Sequence, residues 1–386
     1  MKERGFEVQA ASSPGEWLKK FTEREQIATH AMRMHRQITP LKDCAALLRL
    51  WRLLRKIRPE IVHSHTPKGG LLGMAAAWLA RVPVRIYHIR GLPMMTATGL
   101  KRTILQHTER LACRLAHQVL CVSRSVADEA VERGLCPASK IRVLGAGGNG
   151  VDAENKFHPV HVEGNTRRRT RASYGIPDNA LVVGFVGRIV RDKGCVELAQ
   201  AWQTLRESFP SSHLLMVGPI ESQDTIPREV ESRLRSDRRV HMAGCVTNMR
   251  KLYGAMDVLV LPTYREGFPN VVVEAAAMEL PVVATRIPGC VDAVVDGITG
   301  VLVPPRDAGS LAQAVRDYLV DPELRRRHGL AGRQRVLAEF RRERIWRELH
   351  ELYVHLLRRK HRPTPTLHDE ATILTMPTRP RQRRAA

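Results

Sequence analysis

Cysteine is scarce and unpatterned in this sequence. Seven cysteines are scattered over 386 residues, an odd number with no CxxC pair. That argues against both a disulfide framework and a cysteine-based zinc site, and it sets the expectation of a reducing, cytoplasmic setting. Aromatic residues make up only 5% of the chain, few for stacking nucleic-acid bases. No RRM, KH or zinc-finger pattern occurs, so no nucleic-acid partner is expected. No apolar run approaches the ~20 residues that cross a bilayer, and the opening residues do not read as a secretory leader. Negative charge is also short. Lys and Arg number 62 against 39 Asp and Glu, a formal net charge of +23. Such an excess calls for an anionic partner, for which a phosphorylated substrate and an acidic membrane surface are the expected choices.

What is present describes an α/β protein. The chain is 43% hydrophobic and 26% charged, a globular balance, and its length suits about two domains. Short β-like runs alternate with helical ones: IVHSH (61–65), VRIYHI (84–89), QVLCVS (118–123) and KIRVLG (140–145). After Gly150 the pattern restarts with LVVGFVG (181–187), HLLMVG (213–218), VHMAG (240–244), DVLVLPT (257–263), PVVAT (281–285) and GVLVPP (300–305). Apolar strands alternating with helices indicate parallel sheets covered on both faces. Two series imply two doubly wound, Rossmann-like domains facing a cleft, with ligands at the carboxyl ends of the strands. The expected division is 1–148, 149–340, a basic helix over 341–360 that returns to the first domain, and a basic, disordered tail over 361–386. The glycine-rich GAGGNGVD (145–152) is the expected linker.

MKERGFEVQAASSPG, at the start, reads as a helix end followed by a second strand. A doubly wound sheet places its first strand centrally. The expectation is therefore a first domain short of one strand, with the missing βα unit encoded upstream.

The second domain carries the sharper motifs. FVGRIVRDKGC puts Gly187 and Arg188 at a strand end and Lys193 and Gly194 where the next helix opens. A small-residue turn, two cations and a helix N-terminus together suit an anion such as a phosphate group; a surface turn with two solvated cations is the alternative. Glu266 sits at the tip of DVLVLPT. Glu274 stands alone in the apolar helix that follows. A lone carboxylate there needs a partner, either a structural cation or a ligand such as the vicinal diol of ribose. Pro269 suits a first helical position.

EGFPNVVVE (266–274) matches the E-x7-E motif of retaining GT-B glycosyltransferases, and its surroundings resemble family 4, the group 1 glycosyltransferases. The match continues through GRIVRDKG (187–194), NMRKLYGAMDVLVLPTYREG (248–267), PVVATRIPGCVDAVVDGITGVLVPPRD (281–307) and NGVD (149–152). The resemblance implies a GT-B fold and transfer of a sugar from a nucleotide-sugar donor to a glycan or lipid-linked acceptor. It implies that Arg188 and Lys193 hold the donor diphosphate, that Glu266 contacts the donor sugar, and that Glu274 holds the ribose hydroxyls. Gly187, Gly267, Phe268, Pro269, Asn270 and Val271 join the expected donor-binding set. No DxD-type motif stands near them, so neither a metal nor another cofactor is expected. A sugar-nucleotide epimerase or phosphorylase of the same fold, and a non-catalytic basic binding protein, are the alternatives.

The first domain is read as the acceptor side, with Lys68 of HSHTPKGG and His88 and Arg90 of IYHIRG as its candidates. Relatives often carry a His-Gly pair where Arg90 stands. The HxH at His63 and His65 has no third ligand evident in sequence, so the histidines are read as solvated or core residues. Lys42, Arg49, Arg52 and Lys56 share a helical face. That face is either a solvated covering or a peripheral contact with the cytoplasmic membrane.

Overall fold

The computed structural model describes residues 1–35, 39–162, 164–221 and 224–365. Much of the expected basic tail, residues 366–386, lies outside them. The first half contains β1 (Gln9–Ser12), β2 (Ala28–Ala31), β3 (Ile61–His65), β4 (Val84–Ile89), β5 (Gln118–Cys121) and β6 (Ile141–Val143). The second contains β7 (Leu181–Val186), β8 (Ser212–Val217), β9 (Val240–Gly244), β10 (Val258–Leu261), β11 (Val282–Thr285) and β12 (Gly300–Val303). Every strand pairing is parallel. The second sheet runs β12-β11-β10-β7-β8-β9, while the first half is divided into β3-β4-β5-β6 and a separate β1-β2 pair.

The apolar runs fold this way because both faces of each strand are covered. Phe185, Leu214, Met216, Leu259 and Val283 are fully buried in one core that spans the second sheet. Asp257 anchors the entry to β10, accepting from Arg167 at 2.6 Å, Arg171 at 2.8 Å and the Val182 amide at 2.7 Å. After the second sheet the chain crosses back. The Arg342–Arg358 helix packs Ile345, Leu352, Leu356 and Leu357 against Val84, Ile86 and Leu120 of the first sheet. Glu348 on that helix accepts from the Gly145 amide at 2.6 Å. No described helix is long and apolar enough to cross a membrane.

The first half also buries a titratable group. Glu109 is 2% exposed and accepts from the Tyr87 hydroxyl at 2.5 Å. Burial raises its carboxyl from 4.5 to about 7. Between those values the folded chain holds a proton that the unfolded chain releases, so this group's contribution to stability falls as pH rises. At about 1.4 kcal/mol per pH unit across that span, the upper limit is about 3.5 kcal/mol. Glu109→Gln is expected to flatten the loss of thermal stability between about pH 4.5 and about pH 7. Parallel Tm profiles for the two proteins would show that the carboxyl does not titrate there.

Candidate active site

The carboxyl ends of β7 and β10 adjoin because those strands pair. The loop after β7 supplies Gly187, Arg188 and Lys193; the loop after β10 supplies Glu266. Lys193 closes a short 3-10 turn, and Gly194 follows with a φ of 69°. A Cβ on Gly194 would stand 1.9 Å from the Pro262 carbonyl oxygen, so the turn can lie against β10's exit only with glycine there. Lys193 Nζ consequently reaches Glu266 Oε1 in an ion pair whose side chains are 17% and 14% exposed. Arg188 is held by a different carboxylate, Glu221, at 2.8 Å.

Glu266 and Gly267 abut the first half. A Cβ on Gly267 would come within 1.9 Å of the Arg90 carbonyl oxygen. The Ser123 hydroxyl donates to the Gly267 carbonyl at 2.8 Å, and the Gly289 amide donates to Ser125 Oγ at 2.7 Å. Asp292 accepts from the Arg124 and Ser125 amides at 3.1 Å each. These bonds tie the Ser123–Ser125 turn after β5 to the Gly267 and Gly289 loops of the second half.

Phe268 is buried in the seam between the halves, tilted against Phe340 with ring centroids 5.4 Å apart. The helix begins at Asn270, with Pro269 as its cap residue, one position later than the sequence suggests. Asn270 Oδ1 accepts from the Asn149 amide at 3.3 Å, and Val271 packs partly buried against the second core. Glu274 follows one turn on. In the structure its partner is neither Arg nor Lys: Tyr253 donates its hydroxyl at 2.9 Å. Burial raises the Glu274 carboxyl above its ordinary range, partly opposed by that hydrogen bond and by Lys156.

Across the seam, β3 and β4 pair in a register that sets His65 opposite His88. His63, His65 and His88 come together with candidate ligand atoms within 4.8 Å of one another. The third imidazole that the HxH spacing did not reveal is therefore His88, brought in by the neighbouring strand. His63 Nδ1 shares a 2.6 Å hydrogen bond with the Tyr353 hydroxyl. His63 Nε2 and His88 Nδ1 are buried without a partner among the described residues. Burial lowers all three titrations, His65 to about 4, with the Arg90 charge adding to the effect. Arg90 stands 3.4 Å from His65 Nδ1 and also bonds the Asn149 side chain. Arg90 thus places a fixed cation beside the trio. The three histidines, Arg90, Asn149 and Tyr353 line a cavity of about 260 Å3. Lys68 is ion-paired with Asp43 at 2.8 Å and lines an adjoining groove that shares His63 and His65 with this cavity.

Sequence reasoning missed Glu221, Tyr253, Ser123, Ser125 and Asp292. Each acts through an element distant in sequence. Tyr253, Asp292 and Asn149 stand within the stretches that carry the family resemblance, which was the signal available for them.

Two family models match, "Glycosyl transferase 4-like domain" over residues 1–147 and "Glycosyl transferases group 1" over 180–321. A capsular polysaccharide biosynthesis glycosyltransferase of Staphylococcus aureus, CapM, is 35% identical over 354 residues, covering 92% of this chain and 91% of its own. An Escherichia coli UDP-Gal:alpha-D-GlcNAc-diphosphoundecaprenol alpha-1,3-galactosyltransferase is 28% identical, with 72% and 71% covered. Among solved structures, Anabaena HepE in complex with UDP-glucose superposes with a TM-score of 0.74 at 20% identity, over 89% of this chain and 91% of that one.

Proposed function

Because this chain belongs to the group 1 glycosyltransferases, we propose that it transfers a sugar from a nucleotide-sugar donor to a hydroxyl of a glycan or lipid-linked acceptor, with retention at the anomeric carbon, in cell-surface polysaccharide synthesis. The observation that carries this reading is the Lys193–Glu266 ion pair, set at the carboxyl edge of the central strand β7 and against the Arg90 loop. A diphosphate entering there draws Lys193 from Glu266 and Arg188 from Glu221. Glu266 is thereby released to accept hydrogen bonds from the donor sugar. As the glycosidic bond to the leaving phosphate breaks, charge grows on phosphate oxygens that the two cations already face, which lowers the barrier without reorganisation. Two cations supply the neutralisation that a divalent ion would otherwise give, so no metal is assigned. Glu274 takes the ribose hydroxyls. Around Arg90 the uncharged imidazoles offer both donor and acceptor nitrogens to sugar hydroxyls.

Uridine is the base favoured by the names of the galactosyltransferase and HepE complexes. The test is transfer of labelled sugar from a UDP-sugar panel to lipid-linked acceptors, with and without EDTA. Label in the acceptor, an axial or equatorial bond matching the donor, and indifference to EDTA are expected. Label found only in an isomerised nucleotide sugar would identify an epimerase instead.

The positive surface adds a location. Lys42, Arg49, Arg52 and Lys56 are exposed on the Pro40–Ile57 helix, beside Leu41 at 88% and Leu48 at 43% exposure. We assign this face to the anionic cytoplasmic membrane, each cation contributing about 1 kcal/mol near such a surface. Vesicle binding is expected to weaken with salt. The Arg49→Ala/Arg52→Ala/Lys56→Ala variant should bind at least about tenfold more weakly. Unchanged binding would assign the attraction to the Arg-rich C-terminal segment.

A further inference from the structure

One cation near the seam has no counter-charge. Lys193 is paired with Glu266, Arg188 with Glu221 and Lys68 with Asp43. Arg90 is half-buried, and both its partners are neutral: Nε lies 3.4 Å from His65 Nδ1, and Nη1 donates to Asn149 Oδ1. No carboxylate pairs with it among the described residues. Burial alone shifts its titration below the ordinary value, with no acidic neighbour opposing the shift.

The cavity of about 260 Å3 around Arg90 has no Asp or Glu among its lining residues. Burial lowers the titrations of His63, His65 and His88 and raises those of Cys121 and Tyr353, so all five are neutral near pH 7. The whole charge of the lining is therefore that of Arg90. A cation drawn out of water without a partner is costly, and an anion that enters offsets the cost. Arg90 Nη2 makes no hydrogen bond among the described residues. A guanidinium with a free donor suits the paired oxygens of a carboxylate or phosphate.

We propose that this cavity receives an acidic group of the acceptor, a carboxylate or a phosphate, and that Arg90 holds it. The assignment to the acceptor rests on the glycosyltransferase reading above. The Arg90 carbonyl lies against Gly267, next to Glu266, so a group bound here belongs to the molecule that meets the donor sugar. The volume is below the range for drug-sized ligands, which suits one acidic sugar unit or one phosphate. His63 Nε2 and His88 Nδ1, buried with no partner among the described residues, are left to bond the remaining hydroxyls of that unit. The acceptors selected are then acidic ones.

The test is calorimetric binding to the full chain with UDP saturating, so that Arg188 and Lys193 are already occupied. Methyl glucuronide, which carries a carboxylate, and glucose 6-phosphate are compared with uncharged methyl glucoside. At least one acidic sugar is expected to bind at least about tenfold more tightly than methyl glucoside, and the better of the two tells carboxylate from phosphate. Arg90→Gln should weaken the acidic sugars by about 10- to 100-fold and lose the preference. Arg90→Lys, which keeps the charge but not the fork, should retain part of it. Equal binding of all three sugars by the parent, or an acid preference that survives Arg90→Gln, would overturn the proposal. An acid preference lost in Arg90→Gln, in a chain that transfers labelled sugar to no acceptor, would keep the anion site and overturn its assignment to the acceptor.

Discussion

Lys193→Ala is expected to lower kcat/KM for sugar transfer by about 10²–10³, the usual cost of removing one preorganised group that faces developing charge. Arg188→Ala should act in the same direction. The two losses should not add fully, because both cations face one leaving group. The measurement must separate chemistry from folding. Lys193 and Glu266 are mostly buried together, and deleting one partner leaves the other carboxylate uncompensated. The Lys193→Ala/Glu266→Gln double variant removes that penalty. It should recover the Tm of the parent while remaining inactive. Activity within a few-fold of the parent in Lys193→Ala and Arg188→Ala would remove both residues from the reaction.

Glu274→Gln is expected to weaken binding of free nucleoside diphosphate by about 10- to 100-fold, the range for losing a charge-assisted hydrogen bond. The amide preserves shape and loses the second acceptor oxygen. Tyr253→Phe provides the contrast. It deletes the hydroxyl that now donates to Glu274 without touching the carboxylate, so it should change affinity far less. Acid sharpens the comparison. Burial raises the Glu274 carboxyl, so the bound anion gains a proton sooner than an exposed one would as pH falls. Parent affinity should therefore decline on acidification, and the Gln variant should lack that component. Equal affinity in parent and variant at neutral pH would leave Glu274 a structural partner of Tyr253.

Sequence periodicity located the ten strands from β3 to β12 within a residue or two at each end, because a strand buried on both faces must be apolar throughout. The linker GAGGNGVD and the candidates Arg188, Lys193, Glu266 and Glu274 came instead from residue type and motif. β2 was not legible. ATHA is short and half-exposed, so burial imposes no pattern on it. The composition also carried the anionic-partner argument, since +23 is a sum over residues and needs no fold.

Pairing across the sheets was decided only by the tertiary structure. Lys193 and Glu266 are far apart in sequence and meet because β7 and β10 are neighbours. Arg188 meets Glu221 for the same reason, through β7 and β8. His88 joins His63 and His65 through the β3–β4 register, and Tyr353 reaches them only because the last described helix returns to the first sheet. Burial and apolar pattern are local constraints, written at each position of the chain. Strand order and register are free-energy choices among many pairings with the same local pattern, and only the packed whole selects between them.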